Sequence, residues 1–312
     1  MACLLLAAPL AAQTPQNVAK IGFLVPGLGR PAMVEAFRQG LRERGYVEGK
    51  NLIIELRVAR EPREQPALIT ELVNLNVDVL VTWTTPAALA TARVTSTIPI
   101  VVMTGDPIRT GLATSLARPG GNVTGIAIMV DELEVKKLEL LKEVVSTASR
   151  IAVMWNADNP VWGPVVERLR RVAPTLGVKL HELPVTDARH FEGALRSATT
   201  AGVSALLVVE ESLFMINRKS LVDLVANHRL PAIYQQAEFI ELGGLMSYSV
   251  NLPDMLRRLG GYVDKIVRGA RPADLPVEQP TKFEFAINLK TGRALGLAIP
   301  STVLLRADRV IE

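Results

Sequence analysis

The sequence predicts an α/β protein built as two doubly wound parallel-sheet lobes joined by crossover strands, and three observations carry that prediction. Short β-branched runs alternate with longer amphipathic runs along most of the chain, the pattern of βαβ units on a parallel sheet. The order of runs then repeats: Ile21 corresponds to Ile151 at an offset of 130, and Pro99 of TIPIV to Pro231 of RLPAI at an offset of 132. Finally, 312 residues, 49% of them apolar, are enough chain for two buried cores.

In the first half, Lys20–Val25 reads as a strand and Pro31–Arg44 as a helix, with Met33, Phe37 and Leu41 on one face and Gly45 as the stop. Leu52–Val58, Val77–Thr82 and Ile98–Met103 read as strands, separated by helices at Pro62–Leu75 and Pro86–Val94. The second half runs strand Arg150–Met154, helix Pro160–Leu176, strand Val178–Leu183, helix Ala188–Thr199, strand Ser204–Val209, helix Leu213–His228 and strand Leu230–Ile233. A breaker cluster, Arg118–Asn122, separates the halves, and Gly243-Gly244 ends the second. Helix Leu252–Val267, a proline-rich stretch Arg271–Pro280 and a strand-helix unit Phe283–Leu295 follow. We therefore expect one lobe from residues 18–120 plus roughly 250–280, a second from 121–249, and a tail, 281–312, that could join either. Several crossings between lobes would act as a hinge.

Met1–Ala12, MACLLLAAPLAA, is too short to span a bilayer and ends in small residues, which reads as an export signal cleaved near Ala12. The single cysteine, Cys3, lies within it, so a cleaved protein has no thiol, and no cysteine cluster can hold a structural zinc. Cys3 is also a candidate for lipid anchoring. A formal charge of +4, with arginines scattered over amphipathic helices, gives no clustered basic face for nucleic acid.

Open parallel sheets bind ligands outside the carboxyl ends of their strands. Here Trp83-Thr84-Thr85 precedes Pro86, and Asn156–Asn159 precedes Pro160. Proline opens helices, and the N–H groups and positive dipole end beside it can hold a carboxylate. Trp83 and Trp155 end strands at what read as corresponding places, and Trp162 follows in the next turn. In a chain with only 3 Trp, 4 Tyr and 7 Phe, that concentration suggests stacking on a ligand as much as packing between lobes. Asp106, Asp158, Glu210, Glu211 and Glu238 put carboxylates at the same rim. No G-x-S-x-G elbow, phosphate loop or H-E-x-x-H occurs, and Gly27-Leu28-Gly29 lacks the third glycine of a dinucleotide fingerprint. His181, His190 and His228 fall on strand or helix segments away from the strand ends, and no helix-turn-helix precedes the first strand.

The stretches FRQGLRERGYVEGKNLIIE, TPAALA, TIPIVVMTGDP, ARPGGNVTGIA, RIAVMWNADNP, LPAIYQQAEFIELGGLMSYSVN and ADLPVEQPTKFEFAINLKTGRALGLAIP together resemble one family. It is the periplasmic solute-binding proteins of ABC transporters with the type I two-lobe fold, in the branch related to tryptophan-binding receptors. The resemblance implies a periplasmic, monomeric receptor that closes on a small molecule and delivers it to a membrane permease, without cofactor, metal or catalysis. It implies further that Thr84, Thr85 and the helix from Pro86 hold a carboxylate and that Asp106 holds an ammonium. Asn156, Asn159, Glu211, Tyr234, Glu238 and Tyr248 would line the other side. Trp83, among the expected ligand contacts, is bulkier than the small residue such a position calls for. An aromatic or branched-chain amino acid, or a related carboxylate, is the leading ligand. A two-lobed transferase or isomerase, and a cytosolic ligand sensor, are the alternatives.

Overall fold

The computed structural model describes residues 18–27 and 31–312, so the proposed export segment at 1–12 lies outside the described residues. The first half forms β1 (Ala19–Pro26), α1 (Pro31–Arg42), β2 (Leu52–Ala59), α2 (Gln65–Asn74), β3 (Val79–Trp83), α3 (Thr85–Val94), β4 (Ile100–Thr104) and β5 (Val123–Ala127). These five strands make one parallel sheet in the order β2-β1-β3-β4-β5. Strands β3 and β4 are buried at every position, as a parallel sheet covered on both faces requires, and that explains why they are apolar except for Thr82 and Thr104.

The second half forms α4 (Val130–Val144), β6 (Arg150–Asn156), α5 (Trp162–Val172), β7 (Lys179–Val185), α6 (Phe191–Thr200), β8 (Ala205–Val208), α7 (Ser212–Ile216), α8 (Arg218–Asn227), β9 (Ala232–Tyr234), α9 (Ala237–Glu241) and β10 (Met246–Val250). Then come α10 (Leu252–Val267), β11 (Phe283–Asn288), α11 (Leu289–Ala294), α12 (Ser301–Leu304) and β12 (Arg309–Ile311). The second sheet is ordered β12-β11-β10-β9-β8-β6-β7. Its run β7-β6-β8-β9-β10 has the same winding as β2-β1-β3-β4-β5, so the sequence repeat is a repeat of topology. Among the described strands only β10 and β11 pair antiparallel.

The structure departs from the sequence reading in places with identifiable causes. Strand β5 follows the breaker cluster and still pairs with β4, so the chain leaves the first sheet after Ala127 rather than at residue 120. Gly125 hides that strand: its φ is +139°, and a Cβ there would lie 1.9 Å from the Val102 carbonyl oxygen. Strand β10 was equally hidden, because its alternate residues Ser247 and Ser249 are polar yet 1% exposed. The expected helix Leu213–His228 breaks into α7 and α8 at Asn217, whose side chain donates to the Leu213 carbonyl oxygen at 2.8 Å. The tail joins the second sheet through β11 and β12.

Helix α10 returns to the first lobe, packing on α1 and against β4 and β5. The two helices touch backbone to backbone, since a Cβ on Gly40 would stand 1.9 Å from the Arg257 carbonyl oxygen. Three crossings therefore join the lobes: β5 to α4, β10 to α10, and Glu278 to β11. They are tied together, with Ala127 N–H donating to Glu278 O at 2.8 Å, Glu278 N–H to Gly125 O at 3.0 Å and Asn251 N–H to Lys282 O at 3.3 Å.

Candidate functional site

Strands β1 to β5 end toward the second lobe and β6 to β10 toward the first, because two crossings leave from the carboxyl ends of β5 and β10 and the third enters the antiparallel β11 at its amino end. The first lobe contributes the exits of β1 (Gly27), β3 (Thr84, Thr85) and β4 (Gly105, Asp106), and the second those of β6 (Trp155, Asn156), β8 (Glu210, Glu211) and β9 (Gln235, Gln236). The two rims touch. A Cβ on Gly105 would lie 3.5 Å from Val161 Cγ1 and 3.6 Å from Val130 Cγ1, both in the second lobe. At another edge a Cβ on Gly27 would come within 3.9 Å of Ile216 Cδ1. Arg109, in the loop after β4, pairs with Asp131 in the first turn of α4 at 3.1 Å.

On the first-lobe rim, α3 starts at Thr85, one residue earlier than its proline suggests. Thr84 is the N-cap at φ +70°, a conformation that costs a β-branched residue about 1–3 kcal/mol, and it makes no side-chain cap. The Ala88 N–H donates to the Thr84 carbonyl oxygen at 3.0 Å, and the Thr85 and Ala87 amides make no bond to the Thr84 side chain. Thr85 is buried, and its hydroxyl lies 2.9 Å from the Thr104 hydroxyl and accepts the Gly105 N–H at 3.0 Å. It therefore locks the exit of β4 to the start of α3. Asp106 Oδ1 accepts the N–H groups of Ile108 and Arg109, both at 3.0 Å, and Arg109 Nε stands 3.6 Å from its other oxygen.

On the second-lobe rim, Glu211 is a hub. Its Oε2 accepts Asn159 Nδ2 at 2.7 Å and Trp162 Nε1 at 2.8 Å, while Oε1 accepts the Ser212 N–H at 2.8 Å. Gln235 bonds the backbone of Glu211 in both directions, and Gln236 Nε2 donates to Glu210 at 3.1 Å. Asn156 Oδ1 accepts the Asp158 N–H at 3.1 Å, shaping the loop after β6. Glu238 is half-buried in the first turn of α9.

Three of the expected aromatic positions pack against neighbouring rings. Trp83 is 6% exposed, with its ring edge-on to Phe23 at 5.6 Å, so the indole is part of the first core. Tyr234 is buried and stacks on Phe239 at 4.9 Å, and burial pushes its phenol pKa up. Tyr248 is half-buried against Phe283 and Phe285 on the β10–β11 ribbon, where burial and then Asp308 raise its pKa. Nor do Trp83 and Trp155 correspond: Trp83 ends the third strand of its lobe and Trp155 the first of its own, opposite Val25 in the repeat. The indole N–H of Trp155 is buried with no acceptor, whereas that of Trp162 is satisfied by Glu211. Sequence reasoning missed Gln235 and Gln236, although two adjacent amides at the end of a core strand were a usable signal. Among the described residues no group of three or more His, Cys, Asp or Glu could hold a metal ion, and no helix is long and apolar enough to cross a membrane.

Residues 18–311 match the family model described as ABC transporter substrate binding protein. The chain is 26% identical over 268 residues to a tyrosine-binding protein of Clostridioides difficile (strain R20291), covering 84% of this chain and 76% of that one. An ABC domain from Streptococcus pneumonia, solved in complex with L-Trp, superposes with a TM-score of 0.83 at 25% identity, over 93% of this chain and 100% of the other. A ligand-free, open substrate-binding protein with adhesive properties from Clostridium difficile gives 0.69, also at 25% identity, over 94% and 99%. The type I periplasmic-binding fold is shared with solved neighbours, and these relatives are binding proteins rather than enzymes.

Proposed function

Because the chain belongs to the ABC transporter substrate-binding protein family, we propose that it is an exported receptor that closes its two lobes on an amino acid with an aromatic or branched apolar side chain, for delivery to an importer's permease. The observation that carries this reading is the contact of the two strand-exit rims at Gly105, Val161 and Val130, with the three crossings tied to one another by backbone hydrogen bonds. The better superposition on the L-Trp complex than on the open relative, at equal identity, supports a closed arrangement. A tyrosine-binding relative and an L-Trp complex support the ligand class.

The chemistry follows from the two rims. The uncapped first turn of α3 offers backbone N–H groups and a positive dipole end to an α-carboxylate, and the strain at Thr84 aims them. Asp106 keeps lone pairs for an α-ammonium beyond the two amides it accepts. The second lobe closes over the side chain with Trp155, Asn156 and the Glu211 network, in which Asn159 takes part. Binding free energy goes into closure, and the closed form is what a permease would recognise.

Calorimetry and thermal denaturation with L-tyrosine, L-tryptophan, L-phenylalanine, L-leucine, L-isoleucine and L-valine test the proposal. One or more should bind, and saturation near 100 Kd should stabilise the fold by about 2.7 kcal/mol. No heat and no shift with any of them would overturn the ligand class. Exported protein should begin near Gln13 and run as a monomer in size-exclusion chromatography.

A further inference from the structure

Beneath the second-lobe rim, Glu134 and Lys137 form an ion pair with both side chains 0% exposed, alone in this among the described residues. They lie one turn apart on α4, which packs against β8, β9 and β10. Lys137 Nζ is 2.9 Å from Glu134 Oε2 and donates to Oε1 at 3.1 Å and to the Val208 carbonyl oxygen at 2.7 Å. Glu134 Oε1 also accepts the Glu210 N–H at 3.1 Å. Both charged groups therefore end on the backbone that leaves β8.

Stability alone does not account for such a pair. Desolvating two charges costs several kcal/mol per ion, and apolar replacements of similar volume are often neutral or stabilising. On the first lobe, α10 meets its sheet with Leu256, Leu259 and Val263, all apolar and buried, so a charged pair is not needed to seat a helix on this kind of sheet. What the pair does hold is the Val208–Glu210 backbone. That segment fixes Glu211, and Glu211 in turn holds Asn159 and Trp162 after β6 and meets Gln235 after β9.

We propose that Glu134 and Lys137 are positioning residues for ligand binding, pinning the exit of β8 so that the three strand exits of the second lobe present one fixed surface to the cleft. The proposal rests on the reading that the cleft takes the ligand.

The test is the double variant Glu134→Leu/Lys137→Met, which removes both charges at similar volume. Its thermal midpoint should equal or exceed that of the wild type. Amide hydrogen exchange at Glu210–Ser212 should quicken by about tenfold or more, and affinity for the amino acid the wild type binds should fall by about tenfold, as for one lost charge-assisted hydrogen bond. A purely structural pair would move the midpoint and leave that local split absent. If the double variant does not fold, Glu134→Gln, which keeps an oxygen for Glu210, should retain both protection and affinity, whereas Glu134→Ala should lose protection at Glu210 first. Wild-type exchange and affinity in the folded double variant would overturn the proposal. Should the wild type bind no amino acid in calorimetry, the cleft reading fails separately, and the exchange data still decide the positioning role.

Discussion

Replacing Gly105 by valine should hold the lobes apart. A Cβ at this position would meet Thr85 Oγ1 at 3.2 Å, Val161 Cγ1 at 3.5 Å and Val130 Cγ1 at 3.6 Å. Alanine therefore fits with a small adjustment. Valine carries two further methyl groups, each about 1.5 Å beyond the Cβ, into space where carbon contacts are optimal only at about 3.5–4.0 Å. Overpacking of this kind costs about 1–3 kcal/mol. Because Val161 and Val130 belong to the second lobe, opening relieves most of it, so the cost falls on the closed form. A ligand bound only by the closed form should then lose affinity about 5- to 150-fold in Gly105→Val and less than about 5-fold in Gly105→Ala. Calorimetry with L-tyrosine or L-tryptophan measures the affinities, and small-angle scattering should show a larger radius of gyration for the valine variant without ligand. Wild-type affinity and an unchanged radius in Gly105→Val would refute the reasoning.

Gly40→Ala should destabilise the fold by about 3 kcal/mol or more in urea denaturation, since its Cβ would sit 1.9 Å from the Arg257 carbonyl oxygen at the α1–α10 crossing. Trp155→Phe should keep an aromatic ring while removing the pyrrole part with its buried N–H that has no acceptor, lowering ligand affinity about tenfold in calorimetry with little change in the thermal midpoint. Arg257 beside Asp254 holds that carboxyl below its usual pKa of 3.8, so its contribution is present above that value and is lost as the pH falls through the folded pKa. Chemical denaturation from neutral pH to about pH 3 should therefore find Asp254→Asn less stable than wild type at neutrality, with the gap closing in acid.

The winding of both lobes was legible because β1, β3, β4, β6 and β8 are largely buried and leave apolar runs between amphipathic helices. Strands β5 and β10 were not, because Gly125 answers a backbone contact made by distant residues and Ser247 and Ser249 are buried without being apolar. The rim residues could be located as strand exits, but their side-chain roles could not. Whether Trp83 faces a ligand or Phe23 depends on the face of the strand it occupies, which a fully buried strand does not encode in alternation. Trp155 and Trp162 look alike in sequence, and only the position of Glu211 makes one satisfied and the other not. Glu134 and Lys137 fall at helical spacing on the face of Val130, Leu133 and Leu141, so the periodicity put two charges among apolar residues, but only the backbone leaving β8 shows what they hold.

The crossings bear on how closure would proceed. Each lobe has its own sheet, while Gly125, Ala127, Asn251, Lys282 and Glu278 form one hydrogen-bonded strip between them. Backbone bonds within that strip resist separate movement of the three connections. Rotation is then left to residues at its margins, and Met129, at φ +60° between β5 and α4, is one such place. Just past it, α4 carries Asp131 toward Arg109 on the opposing rim and, one turn on, Glu134 toward the exit of β8. A turn at Met129 would therefore shift Asp131 relative to Arg109 while carrying Asp131 and Glu134 as one body on α4, so that the ion pair across the rims and the backbone leaving β8 would both respond to lobe angle without a flexible relay.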